Sequence, residues 1–179
     1  MIPKTRTDFA AMLNDEGLIG IAVEVGVDQG AFAEKMLSAW KGQSYILVDP
    51  WKHFIDTDMS QDQFDLIFQR VVNKFSKDDR IMIMRETSLE AAEYAGDCLQ
   101  CDFVYIDANH DYEHAQQDIA AWYPKVKISG YLAGHDYDND NGVVKAVNEF
   151  CIDRNIDLQI IHEPIIGSSW YFKKAKTDL

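Results

Sequence analysis

Four side chains that could perform acid–base chemistry or bind a metal follow two short apolar segments in the second half of the chain. They are Asp107 and His110, which follow residues 103–106, and His135 and Asp136, which follow residues 131–134. Each segment is a short, continuous apolar run, as is typical of a strand buried on both faces. A helix joining two parallel strands brings their carboxyl ends to one edge of the sheet. The sequence therefore predicts that the four side chains meet in one crevice.

The elements that must position these side chains are indicated by hydrophobic periodicity along the rest of the chain. Predicted strands also cover residues 19–27, 45–48, 80–84, 158–161 and 170–172, and predicted helices cover residues 29–40, 64–75, 89–94, 143–152 and the segment between the two acidic strand ends. Strands that alternate with helices predict an α/β fold with a doubly wound, mostly parallel seven-stranded sheet, helices on both faces and an antiparallel last strand at the edge. A turn is expected at residues 128–130, and Ser88 is expected to cap the helix that follows it.

Length and composition are typical of one globular domain over residues 1–179, with an N-terminal helix or brace over 1–18 and an α/β core over 19–172. The chain is 47% hydrophobic and 26% charged. It contains no run of roughly 20 apolar residues, and its first residues lack the apolar core of a signal peptide, so we expect a cytoplasmic protein with no membrane partner. The net charge of −13 argues against a nucleic-acid partner and favours a small-molecule substrate.

Three cysteines do not form a disulfide framework, although Cys98 and Cys101 have C-x-x-C spacing. A thioredoxin-like pair follows a strand, whereas this pair precedes one, and no second ligand pair has the spacing of a zinc site. We therefore expect buried or half-buried thiols.

The first predicted strand is followed by a turn that contains Gly26 and Gly30. Such a turn lets the backbone approach a ligand, and the following helix N-terminus offers free N–H groups to a carboxylate or phosphate. The dinucleotide pattern G-x-G-x-x-G is absent, which weakens the prediction of an NAD site. Asp49, at the end of the second strand, lies where a ribose diol is commonly bound.

Four segments together resemble the class I S-adenosylmethionine-dependent methyltransferases, and the resemblance covers residues 19–172. The segments are VEVGVDQG (23–30), LVDPW (47–51), FVYIDANHDY (103–112) and GYLAGHDY (130–137). The chain is most similar to a small bacterial branch whose strand ends carry Asp-x-x-His-x-Tyr and His-Asp.

This resemblance implies S-adenosylmethionine as the cofactor and assigns its binding residues. Glu24, Gly26 and Gly30 would hold the methionine part, Asp49 the ribose, and Trp51 or the strand end Glu86, Thr87 and Ser88 the adenine. The cofactor carries an ammonium and a sulfonium group, for which the carboxylates of Glu24 and Asp107 are suitable partners. Two structural alternatives stay open: Glu24 could pair with a buried lysine, and Trp51 could serve in packing.

A methyl acceptor with a hydroxyl group would need help to lose its proton. In metal-dependent O-methyltransferases of this fold, acids at the fourth and fifth strand ends bind a divalent ion that lowers the hydroxyl pKa. Asp107 and Asp136 match two such positions, while His135 stands where related families carry an acid. A site of Asp107, His135 and Asp136 would favour manganese, iron or zinc over magnesium, because imidazole is a ligand that transition metals prefer.

Without a metal, His110 or His135 could act as the general base, so the catalytic candidates are Asp107, His110 and His135. His53, His114 and His162 have no partner cluster in sequence and are expected at the surface or in packing. The residues expected to select the acceptor are the N-terminal helix and segments 52–61 and 164–169. Two alternatives of other classes are an NAD(P)-dependent oxidoreductase on a Rossmann-like sheet and a non-catalytic cofactor-binding module.

Overall fold

The computed structural model describes residues 1–53, 57–138 and 142–176, and within them the predicted sheet is present with seven strands. The strands are β1 (Ile21–Val25), β2 (Ser44–Val48), β3 (Ile81–Met84), β4 (Cys101–Ile106), β5 (Val126–Gly134), β6 (Gln159–Ile161) and β7 (Ser169–Lys173). Their spatial order is β3-β2-β1-β4-β5-β7-β6, in which β1 to β5 run parallel and β7 is antiparallel to both of its neighbours. The prediction of a doubly wound, Rossmann-like sheet with an antiparallel last strand is confirmed.

Helices cover both faces of this sheet. They are α1 (Phe9–Asp15), α2 (Ala31–Ala39), α3 (Gln61–Phe75), α4 (Ser88–Ala95), α5 (Tyr112–Trp122) and α6 (Gly142–Arg154), with 3-10 turns at Arg6–Asp8 and Tyr123–Lys125. One hydrophobic core joins α1, α2 and α3 to the sheet, and a second core joins α4, α5 and α6 to the opposite face. Because the sheet is covered on both faces, its central strands are mostly apolar, with Glu24 in β1 and Asp102 in β4 as buried exceptions, and all six residues of β4 are buried.

The N-terminal helix closes the first of these cores. Phe9 of α1 has its ring centroid 5.2 Å from that of Phe103 in β4 and 5.4 Å from that of Tyr171 in β7. Phe9 and Leu13 are both fully buried. The segment before β1 therefore packs directly onto the centre of the sheet, and it places the preceding 3-10 turn above the strand ends.

Three sequence-based expectations differ from the structure. Residues 128–130 are not a turn before β5 but lie inside it, where Ser129 has φ 69° and the pairing of β5 with β4 shifts register. The antiparallel last strand lies between β5 and β6 and is not at the edge of the sheet. The N-cap of α4 is Thr87 and not Ser88, because the Thr87 side chain accepts a hydrogen bond from the backbone N–H of Glu90 at 3.4 Å.

Further expectations concerned the segment 52–61, the cysteines and the membrane. Residues 54–56 of the segment 52–61 lie outside the described residues. Cys98 is exposed, so the expectation of a buried or half-buried thiol is wrong for this residue, whereas Cys101 is buried in β4, where burial raises the pKa of its thiol to about 12. Among the residues that the structure describes, no helix combines the length and the apolar character needed to cross a bilayer.

Gly26 fixes how closely the ends of β1 and β4 approach each other. Its φ is 87°, and a Cβ atom at this position would lie 1.9 Å from the backbone oxygen of Asp107. Gly26 N–H donates to Val48 at 2.8 Å, and Asp107 N–H donates to Val25 at 2.7 Å. The two strand ends are thus hydrogen-bonded across a gap that has no room for any side chain.

We predict that Gly26→Ala destabilises the fold far more than Gly17→Ala. Gly17 is the matched control, since its φ is 71° but a Cβ there would meet nothing within 4 Å. Gly17→Ala should cost about 1–2 kcal/mol of backbone strain, and Gly26→Ala about 3 kcal/mol or more because overlap is added to strain. Urea denaturation of both variants measures this, and equal losses of stability would contradict it.

Candidate active site

The predicted crevice exists at the carboxyl ends of β1, β2, β4 and β5. Asp107 follows β4, and His135 and Asp136 follow β5. The His110 Nε2 lies 2.9 Å from Asp136 Oδ2, and His135 Nδ1 lies 3.3 Å from the same oxygen and 3.7 Å from Asp107 Oδ1. The four side chains singled out in the sequence therefore form one cluster.

One subset of this cluster has the compactness of a metal-ligand set. A ligand atom from each of Asp107, His110 and Asp136 lies within 4.8 Å of the others. From the sequence, His135 was expected in this set in place of His110. His135 Nδ1 faces both carboxylates, but its ring lies deeper, with 9% of the side chain exposed against 57% for His110.

The buried side of the cluster contains two polar atoms that have no hydrogen-bond partner among the described residues, His135 Nε2 and Trp170 Nε1. Both residues line a small cavity of about 10 Å³. A cavity of this size holds roughly one water molecule, and a water there could satisfy at least one of the two atoms.

A second, larger cavity of about 460 Å³ lies beside the cluster on the β1, β2 and β4 side. Its size is in the range of sites for cofactors and small molecules. The predicted cofactor-binding residues that line it are Gly26, Asp49, Trp51, Thr87, Ser88 and Asp107. Asp107 thus belongs both to this cavity and to the carboxylate–imidazole cluster.

A match to a known family identifies the class of protein. A family model described as "Methyltransferase domain" matches residues 23–137, a range that spans all the strand ends of the crevice. The chain belongs to this methyltransferase family. The resemblance to class I S-adenosylmethionine-dependent methyltransferases is thereby confirmed.

Solved structures of methyltransferases share the fold at low sequence identity. An O-methyltransferase from Bacillus cereus in complex with SAH is 11% identical, with a TM-score of 0.68, 97% of this chain covered and 82% of that one. The O-methyltransferase NovP is 16% identical, with a TM-score of 0.66 and coverages of 96% and 78%. An rRNA methylase from Streptococcus thermophilus is 12% identical, with a TM-score of 0.67 and coverages of 98% and 100%. No curated protein matches the sequence.

Asp49 of the methyltransferase is held by the backbone around it. Its Oδ2 accepts from the N–H groups of Val27 and Asp28, each at 2.9 Å, and its Oδ1 accepts from Trp51 N–H at 2.7 Å. Burial raises the pKa of Asp49, and these backbone hydrogen bonds oppose the shift. Since a carboxylate has about four acceptor positions, one remains for a ligand. Asp49 therefore shapes the β1–α2 turn whatever else it binds.

Some of the remaining predicted cofactor residues line the cavity, and others lie outside its walls. Trp51 is buried with its Nε1 donating to Asp28 O at 2.8 Å, and Ser88 accepts from Trp122 Nε1 at 2.9 Å. Gly30 has φ 73°, and a Cβ there would lie 2.8 Å from Phe75. Glu24, Gly30 and Glu86 do not line the cavity, and Glu86 is exposed. Close packing therefore explains why glycine is needed at positions 26 and 30, whereas the sequence suggested that these glycines let the backbone approach a ligand.

Glu24 lies beneath the crevice and faces the core that contains α1, α2 and α3. It is 1% exposed, and the Tyr45 hydroxyl donates to its Oε2 at 2.9 Å, so its partner is a tyrosine and not the lysine considered from sequence. Burial raises the pKa of Glu24 to about 8, against the opposing effect of this hydrogen bond. Glu24 is therefore a largely protonated acid at neutral pH.

Charge in the cluster is shared between acids and imidazoles. Burial raises the pKa of Asp107 to about 6. The negative charge of Asp136 contributes to this increase, whereas the nearby His135 opposes it. Burial would also raise the pKa of Asp136, but hydrogen bonds with His110 and His135 lower it. The hydrogen bond to Asp136 raises the pKa of His110. Burial would lower the pKa of His135, but Asp136 and Asp107 raise it. Asp136 is therefore the ionised carboxylate around which both imidazoles are arranged.

Sequence reasoning missed two groups that the fold brings to the site. His114 and Asp118 lie one turn apart on α5 and both line the cavity. Arg6 in the N-terminal 3-10 turn contacts Asp107, with Nη1 3.4 Å from Oδ2. The i, i+4 spacing of His114 and Asp118 was a usable signal, whereas nothing near Arg6 in the sequence points to a residue 101 positions later.

We predict that Glu24→Gln changes the pH dependence of stability. The pKa of Glu24 is about 8 in the folded protein, against an ordinary value of 4.5. A raised carboxyl pKa stabilises the fold fully below the unfolded value, and that stability is lost as pH rises toward 8. The wild type should therefore lose up to about 1.4 kcal/mol per pH unit between pH 5 and 8 relative to Glu24→Gln.

Urea denaturation at pH 5, 6.5 and 8 checks this expectation. Glu34→Gln is the matched control, because the Glu34 side chain is 63% exposed and the variant should follow the wild type. Parallel pH profiles for wild type and Glu24→Gln would show that Glu24 has no raised pKa.

Proposed function

We propose that the protein transfers a methyl group from S-adenosylmethionine to a hydroxyl oxygen of a small molecule. The observation that carries this proposal is the position of Asp107, which lines the 460 Å³ cavity on one side and joins the His110–Asp136 cluster on the other. A methyl donor in the cavity and an acceptor at the cluster would meet at this carboxylate. The SAH complex of the similar Bacillus cereus O-methyltransferase supports the choice of cofactor.

The residues that would hold the cofactor fit its chemistry. Asp49 retains an acceptor position for a ribose hydroxyl, and Thr87 and Ser88 line the cavity at the end of β3 where the adenine would lie. Asp107 lies beside Gly26 at the other end and would accept a hydrogen bond from the methionyl ammonium. S-Adenosylmethionine supplies an electrophilic methyl group when bound, and the chain's task is to align the acceptor with it and exclude water.

His110 is the best-placed residue to receive the acceptor's proton. Its ring is exposed enough to contact a ligand, and Asp136 orients the ring through Nε2. His135 is buried behind the carboxylates, and its second nitrogen faces protein instead of the crevice. We therefore assign proton acceptance to His110 and the orientation of Asp107 and Asp136 to His135.

A divalent ion is the alternative means of activating the hydroxyl. Asp107, His110 and Asp136 offer two carboxylates and one imidazole within 4.8 Å, a donor set that suits manganese, iron or zinc better than magnesium. Such an ion lowers the pKa of a hydroxyl that binds to it. In that case His110 is a ligand, and the chain positions the acceptor through the same three side chains.

The charge of the protein favours a small-molecule acceptor. The net charge of −13 and the carboxylates of the crevice would repel a phosphate backbone. The likeness to an rRNA methylase from Streptococcus thermophilus concerns the fold, at 12% identity.

We predict that the wild type binds S-adenosylhomocysteine and that Asp49→Asn weakens this binding at least tenfold. Affinity should fall because the substitution removes the negative charge that would accept a hydrogen bond from the ribose. It also disturbs the turn after β1, which Asp49 holds through backbone N–H groups. Asp78→Asn is the matched control, since Asp78 also accepts a backbone N–H, from Arg80 at 3.1 Å, but lies away from the cavity. Isothermal titration calorimetry measures the affinities. A wild type that binds NADH but not S-adenosylhomocysteine would overturn the cofactor assignment in favour of an oxidoreductase.

We also predict one Mn²⁺ site that depends on His110 and Asp136. His110→Ala and Asp136→Asn should each weaken Mn²⁺ binding at least tenfold in a titration followed by electron paramagnetic resonance, because each removes one of three protein ligands. His53→Ala should not, since His53 bonds to Met59 outside the cluster. Equal Mn²⁺ binding by all four proteins would exclude this metal site and leave His110 as the base.

A further inference from the structure

Arg6 brings a positive charge to the carboxylates of the crevice. Its Nη1 lies 3.4 Å from Asp107 Oδ2, and its side chain is 20% exposed. Asp107 lines the cofactor cavity beside Gly26, so the guanidinium contacts a wall residue of the cavity on its β4 side, although Arg6 does not itself line the cavity. Among the described residues, Arg6 is the only lysine or arginine paired with a carboxylate of the cluster.

Contacts other than Asp107 hold Arg6 in place. Its backbone N–H donates to Glu163 Oε2 at 2.7 Å, and its guanidinium carbon lies 5.6 Å from the ring centroid of Phe32. Phe32 stacks on Tyr105 with centroids 4.1 Å apart, and the Tyr105 hydroxyl faces the guanidinium. The arginine therefore lies on a buried aromatic platform and would stay there if Asp107 took another partner.

The ion pair with Asp107 uses few of the hydrogen-bond donors of the guanidinium group. Arginine has five N–H donors and forms its strongest carboxylate pairs through two parallel bonds near 2.8 Å. The contact seen here is one bond at 3.4 Å. Burial would lower the pKa of Arg6, but Tyr105, Asp107 and Glu163 raise it, so the charge is permanent. The geometry leaves donors free for a ligand carboxylate.

We propose that Arg6 binds the α-carboxylate of the methionyl end of the cofactor; this inference rests on the proposed function. The methionyl end is a zwitterion, and the acids assigned to it can bind only its ammonium group. Without a cation, the cofactor carboxylate would enter a crevice that already contains the carboxylates of Asp107 and Asp136. Arg6 and Asp107 together present one positive and one negative partner, which matches the two charges of the amino acid.

The exchange of partners also has a consequence for Asp107. When Arg6 binds the cofactor carboxylate, the Oδ2 atom of Asp107 loses its arginine and becomes available to the ammonium group. The N-terminal 3-10 turn, fixed by Asp8 Oδ2 accepting from Lys4 and Thr5 N–H at 2.9 Å each, then acts as a clamp across the methionyl end.

The test compares two ligands that differ in the group Arg6 is proposed to bind. S-Adenosylhomocysteine carries the amino-acid end, and 5′-methylthioadenosine lacks it. We expect Arg6→Gln to weaken S-adenosylhomocysteine binding at least tenfold in isothermal titration calorimetry and to leave 5′-methylthioadenosine binding within twofold. Arg6→Lys should fall between wild type and Arg6→Gln. Arg70→Gln, the same charge change at an exposed position on α3, should match the wild type.

Each other outcome has a distinct meaning. Wild-type affinity of Arg6→Gln for S-adenosylhomocysteine overturns the proposal and leaves the methyltransferase function standing. Equal weakening of both ligands also overturns it, because the arginine would then support only the fold of the site. A wild type that binds neither ligand is a failure of the proposed function itself.

Discussion

The close approach of the ends of β1 and β4 is the constraint on which the rest of the site depends. Gly26 allows the backbone of Asp107 to lie where any Cβ would overlap it, and hydrogen bonds to Val48 and Val25 connect the three central strand ends. This contact aims the Asp107 carboxylate between the cavity and the imidazoles. Asp49 completes the arrangement, because it ties the turn after β1 to the end of β2 through backbone N–H groups. The site is thus positioned by main chain before any ligand enters.

Burial of acids at this edge makes the site receptive to cations. Burial raises the pKa of Glu24, Asp49 and Asp107, which means that each carboxylate is less well solvated than in water. The protein compensates each one differently: a tyrosine hydroxyl for Glu24, backbone N–H groups for Asp49, and Arg6 with His135 for Asp107. Of these three acids, only Asp107 forms an ion pair with an arginine, through a single long contact, so Asp107 is the carboxylate whose partner a ligand can replace.

The strand ends were predictable because their signals are local. An apolar run followed by an acid or a histidine can be recognised without knowing which distant residues it contacts. Asp49, Asp107, His135 and Asp136 were therefore correctly predicted to follow strand ends. The errors concern features that neighbouring elements decide. Residues 128–130 have turn chemistry, but pairing with β4 and β7 keeps them in β5 as an irregularity, where Gly130 would clash with the Asp102 backbone if it carried a Cβ. Thr87 and Ser88 are both capping residues by type, and the Ser88 hydroxyl instead accepts a hydrogen bond from Trp122 Nε1. Arg6 could not be found because its partner is 101 residues away.

The two histidines of the cluster show why residue type alone could not assign roles. Both bond to Asp136 Oδ2, so each presents an N–H to that oxygen, and their other nitrogens decide what each can do. The second nitrogen of His135 is buried without a described partner, and a proton there would leave a donor unsatisfied at a cost of about 1–3 kcal/mol. When His135 is neutral, its proton therefore lies on Nδ1, and a proton on Nε2 would need a water in the adjacent 10 Å³ cavity as its acceptor. His110, with most of its ring exposed, can gain and lose its proton to solvent or ligand without that penalty. The two imidazoles thus differ in burial and not in chemistry, and His110 is the one of the two that is open to solvent.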